Sequence, residues 1–132
     1  MSRLIAICGG VVAVLAGFGA GVLEAFLIPL RAGVVRLPVA VLVALVVHVG
    51  IALWTRYVTG SRLAPIVPAI SWFAAVAVLG TRTPAGDIVI VGSDWVALTT
   101  VFVGAIGYAI GLFLAARPGP APAESAGPPD RG

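Results

Sequence analysis

LIAICGGVVAVLAGFGAGVLEAFLIPL, residues 4–30, is apolar from end to end except for Glu24. A helix needs about 20 residues to cross a hydrocarbon core roughly 30 Å thick. The stretch is long enough for that, and too long for a cleaved signal, whose apolar core is about 7–15 residues. Ile7, directly before Cys8, also argues against a lipoprotein cleavage site. The stretch reads as a membrane span with Cys8 as a small packing residue inside it.

Three more apolar runs follow, at about 37–54, 63–80 and 95–116. They are continuous and do not alternate with a period of two, which disfavours a β-barrel. Four such runs in 132 residues leave no amphipathic partners to bury them in water. The chain is 61% hydrophobic and 10% charged, with a mean hydropathy of +1.16, against about 25% charged for an ordinary soluble domain. The expected fold is an all-α membrane protein, a four-transmembrane-helix bundle over residues 1–116. The lipid bilayer is its first partner.

The punctuation between the runs agrees. Pro29, Arg31, Gly33, Arg36 and Pro38 mark a tight turn, and Arg56, Gly60, Ser61 and Arg62 mark a second. Pro65 and Pro68 fit the first turn of the third helix, where a missing N–H costs least. The third linker carries Arg82 and Asp87, which suit a mutual pair. Ile88–Val91 follows as an extended surface segment, and Ser93 or Asp94 is the expected N-cap of the fourth helix. Trp54, Tyr57 and Trp95 fit an interfacial aromatic belt. Residues 117–132 are rich in Pro, Ala and Gly and are expected to be a disordered tail.

The formal net charge is +3 and the isoelectric point about 10.0. All the basic residues are Arg, and they flank spans, so the balance points to membrane topology and not to nucleic acid. Arg3, Arg56, Arg62, Arg117 and Arg131 fall on one side; Arg31, Arg36 and Arg82 fall on the other. The five-to-three bias predicts that both termini are cytoplasmic.

Small residues recur at fourfold spacing: Gly9, Ala13, Gly17 and Gly21 in the first span, Gly107, Gly111 and Ala115 in the fourth. Such grooves let helix backbones approach closely. They predict packing of the first helix on the fourth. The competing reading is a homodimer or a larger membrane complex assembled through the same faces.

Ionisable residues inside spans are costly and are candidates for function. Glu24 is the one acid within a run. Arg31, seven residues on, and Arg36 are its expected structural partners; a proton- or cation-linked role is the alternative. His48, the single histidine, suits a bond to a backbone carbonyl or to the indole of Trp72. Trp72, at mid-run, needs an internal acceptor for its N–H. Ser71, Thr99 and Thr100 can each bond their own helix backbone. One histidine and one cysteine support no metal site. No nucleophile–base pair, phosphate loop or nucleotide fingerprint is legible, so neither an enzyme nor a cofactor is expected.

Phe26-Leu27-Ile28-Pro29-Leu30-Arg31, Thr59-Gly60-Ser61-Arg62, Pro68 with Trp72, and Arg82–Ile90 together resemble a family of small actinobacterial membrane proteins. That family is described only as a domain of unknown function. The resemblance covers about residues 10–115 and implies four helices and an inner-membrane location. It also implies Glu where this chain has Ala85. It brings no activity with it. The expected role is a structural or accessory partner of a larger envelope or transport system. The alternative is a small dimeric proton-coupled transporter using Glu24.

Overall fold

The computed structural model describes residues 3–81, 90 and 93–118, and of Arg36 the backbone alone. The Arg82–Asp87 pair, most of the Ile88–Val91 segment and the tail from residue 119 lie outside the described residues. The described chain is helical: α1 Arg3–Leu27, α2 Val39–Thr59, α3 Ile66–Leu79 and α4 Trp95–Ala116. α1, α2 and α4 are each long and apolar enough to cross a membrane; α3, at 14 residues, is shorter.

Local chemistry sets the helix ends. α1 stops at Leu27 because Pro29 keeps the residue before it out of helical geometry. A small antiparallel hairpin follows, β1 Arg31–Ala32 on β2 Val35–Arg36, in place of a simple turn. Its two-residue loop begins with Gly33 at φ +62°, while Val34 keeps a negative φ, the pattern of a type II′ turn. α2 runs a turn past the expected end at Trp54. Thr55 and Thr59 donate to the carbonyls of Ile51 and Thr55, both at 2.7 Å, so these polar residues stay helical. Gly60, at φ +69°, then closes the helix, and Arg56 donates to its carbonyl. α3 begins only after Pro65, so its helical part falls short of the expected 63–80 run. Asp94 caps α4, accepting from the Val96 N–H at 2.9 Å.

α1 packs on α3 and on α2, and α2 packs on α4. The expected pairing of α1 with α4 is therefore corrected. A methyl group on Gly17 would run into the Pro68 backbone of α3, and one on Gly21 would lie 2.9 Å from Ala75 Cβ. On α4, a methyl on Gly111 would lie 2.5 Å from Ala52 Cβ, and one on Gly107 would lie 3.2 Å from His48 Cβ. Both glycine faces are thus filled by helices of the same chain. Ser71 adds a tie between helices, donating to the Val14 carbonyl of α1 at 2.6 Å and not to its own helix.

The packing inverts the soluble pattern. Around buried Trp72, Tyr108 and His48 the interior is largely Ala and Gly, with Ala13, Ala40, Ala44, Ala52 and Ala75 fully buried. The large apolar side chains face outward, Phe26 at 72% exposure and Phe102 at 71% among them. Water-soluble proteins bury such residues first. Helices in lipid gain nothing by hiding them and pack instead through small residues. Cys8 also faces outward, contrary to its expected packing role.

Candidate functional site: a buried Glu24–His48–Trp72 cluster

Each helix sends one residue type to the same place. Side chains on a helix lean toward its N-terminus. Glu24, one turn from the end of α1, therefore reaches back toward the middle of the bundle. There it meets His48, near the midpoint of α2, and Trp72, near the midpoint of α3. Tyr108 and the Gly104 carbonyl come from α4. Glu24 is 2% exposed, Tyr108 2%, and His48 and Trp72 not at all.

The contacts are specific. Glu24 Oε1 lies 2.9 Å from His48 Nε2. Trp72 Nε1–H donates to Glu24 Oε2 at 2.9 Å. His48 Nδ1 lies 3.0 Å from the Gly104 carbonyl oxygen. The Tyr108 ring stacks on the imidazole, with centroids 4.3 Å apart and planes 14° apart, and Trp72 meets the imidazole edge-on at 4.6 Å. Gly104 makes this possible: a methyl there would lie 2.6 Å from Trp72 Cζ2 and 2.8 Å from His48 Cε1.

Hydrogen-bond chemistry counts the protons. A carbonyl oxygen only accepts, so Nδ1 of His48 carries hydrogen. Nε2 and Glu24 Oε1 have no other partner. Two bare lone pairs would repel at 2.9 Å, so the contact is favourable only with one further proton between them. Written as imidazolium and carboxylate, or as imidazole and carboxylic acid, the pair has the same total charge of zero. That neutrality suits a site far from water, where an uncompensated charge is very costly.

Among the described residues, the surroundings are apolar. Ile28, Ala40, Val96 and Ala97 form an apolar layer at the hairpin end of the bundle. Ala20, Ala52 and Ala69 pack with Trp72 and Tyr108. The described surface grooves, one lined by Val12, Ala16, Gly50, Ile51 and Trp54, are apolar and do not include the cluster.

Of the expected site residues, Glu24, His48 and Trp72 come together. Arg31 does not join them. It stands exposed on β1, and both Glu24 oxygens are occupied from α2 and α3, so the expected Glu24–Arg31 pair is corrected. The Arg36 side chain lies outside the described residues. Gly107 flanks His48 and Gly21 flanks Trp72, so the packing glycines also shape the site. Tyr108 and Gly104 were not singled out from the sequence as members. Tyr108 is the one tyrosine within a predicted run, four residues after Gly104 on the same helix face, and that was the available signal.

Fold and site together define a small helical protein with a lipid-suited exterior and a buried polar core. Comparison with known families, with curated proteins and with solved structures finds no match.

Proposed function

We propose that the chain is a four-span protein of the cell (inner) membrane with both termini in the cytoplasm, related to the actinobacterial family it resembles. In this proposal it serves as a non-enzymatic structural or accessory partner of a larger envelope or transport system. One observation carries the reading: both oxygens of Glu24 and both nitrogens of His48 are committed within the chain. The polar core then acts to hold α1, α2, α3 and α4 in register, leaving the outer apolar faces as the surfaces a partner meets. α3 spans only about 21 Å by helical rise, which a locally thinned bilayer accommodates. Exposed Trp54, Tyr57 and Trp95 at the ends of α2 and α4 support interfacial anchoring. The test is affinity purification from native membranes with identification of the proteins that co-purify. Recovery of the chain alone, as a clean dimer, counts against the accessory role.

The second reading is a small dimeric proton-coupled transporter using Glu24. It is favoured by the central placement of the carboxylate against His48. Proton flux in proteoliposomes that disappears in Glu24→Gln, with the fold retained, would favour it over the accessory role.

A further inference from the structure

We propose that Glu24 and His48 form a single binding site whose ligand is one exchangeable proton, and that this proton joins α1 to α2. The inference goes beyond the accessory role and does not depend on it.

The site is defined from all sides. α1 supplies the carboxylate and α2 the imidazole. α3 supplies the Trp72 N–H, which does not titrate, and α4 supplies the Gly104 carbonyl and the Tyr108 ring. Among the described residues no Arg side chain reaches the pair. With the proton present the pair is neutral and every contact is attractive. Releasing it to solvent leaves a carboxylate facing the bare Nε2 lone pair and a net buried charge of −1. The Gly104 carbonyl favours the other ring proton on Nδ1, so switching tautomer would leave a bare Nδ1 against that carbonyl and would not remove the net charge. Trp72 still binds Oε2, so the strain falls on the α1–α2 contact. Loss of the proton therefore loosens α1 from α2 while α1 stays tied to α3.

Glu24→Gln isolates the proton from the fold. Its amide N–H can donate to a bare Nε2, and its amide oxygen can accept from Trp72. The variant keeps both contacts and holds no shared proton. Stability should therefore depend differently on pH in the two proteins, because only the wild type carries the shared proton.

His48 is the only histidine, so 15N-histidine labelling of the full chain in nanodiscs reports this site alone. The wild type should hold one proton on Nδ1 and a second on either Nε2 or the Glu24 carboxyl, read from the 15N-histidine and 13C-glutamate spectra together, and should lose the second as pH rises. Glu24→Gln should show protonated Nδ1 and bare Nε2 throughout that range. A wild-type chain with bare Nε2 and an unprotonated Glu24 carboxylate at neutral pH, or with the proton on Nε2 and not Nδ1, overturns the proposal. So does a denaturation midpoint that has the same pH slope in both proteins. Should Glu24→Gln fail to fold, the two wild-type spectra decide alone.

Discussion

Oε1 of Glu24 and Nε2 of His48 stand 2.9 Å apart in the buried centre of the bundle, and neither atom has another partner among the described residues. Two residues 24 positions apart in sequence are thereby made one polar unit. Removing half of it strands the rest. Glu24→Ala leaves the Trp72 N–H and His48 Nε2 unpaired, a loss of about 3 kcal/mol for a broken buried pair. Glu24→Gln, which can replace both contacts, should lose less than about 1 kcal/mol near neutral pH, the scale of one ordinary hydrogen bond. Arg31→Ala should leave stability unchanged, since Arg31 is exposed and unpaired with Glu24. Reversible unfolding in mixed micelles distinguishes the three. A loss in Arg31→Ala as large as that in Glu24→Ala would restore the Glu24–Arg31 pair.

The helices were legible because apolar run length is a one-dimensional property. Leu4–Leu30 and Trp95–Ala116 needed only counting. The ends that moved did so through local bonds that hydropathy does not see. Thr55 and Thr59 fold their hydroxyls onto α2 and extend it, and Gly33 converts a turn into a hairpin. The three main polar residues of the site were legible as anomalies, each needing a partner. Their union was not. Depth was read from the position of Glu24 along α1, whereas its carboxylate reaches back toward mid-bundle. Helix neighbours also stayed hidden: small-residue spacing reveals a groove but not which helix fills it, so α1 was matched to α4 when α3 and α2 occupy it.

Gly104 is required by two rings at once. A methyl group there collides with Trp72 and with His48, and neither ring can yield without breaking its bond to Glu24. Gly104→Ala should destabilise by about 1–3 kcal/mol, the range for an overpacked core. Gly19→Ala, on the open face of α1, is the control. It meets nothing within 4 Å and should be neutral or slightly stabilising, because alanine is the better helix former. Thermal unfolding of the two variants should move in different directions; equal destabilisation would count against the α2–α4 packing.

Ser71 tests the α1–α3 contact without touching the polar core. Its hydroxyl donates to the Val14 carbonyl, and hydrogen bonds between membrane helices average about 0.6 kcal/mol. Ser71→Ala should lose about that much. It should leave the His48 nitrogen spectrum unchanged. A changed spectrum would mean that the α1–α3 contact controls the proton site, contrary to its separation from it.

Tyr108 has the opposite balance. Its ring stacks on His48, but its buried hydroxyl has no hydrogen-bond partner among the described residues. An unpaired buried hydroxyl costs about 1–3 kcal/mol. Phenylalanine keeps the stacked ring and removes that penalty. Tyr108→Phe should therefore raise stability by about 1 kcal/mol, whereas Tyr108→Ala should lower it by about 3–5 kcal/mol, as large-to-small core changes do. The unfolding midpoints of the two variants measure the hydroxyl and the ring separately. If Tyr108→Phe is destabilised, the hydroxyl is bonded in the working protein, and the polar core extends from Glu24 and His48 into α4.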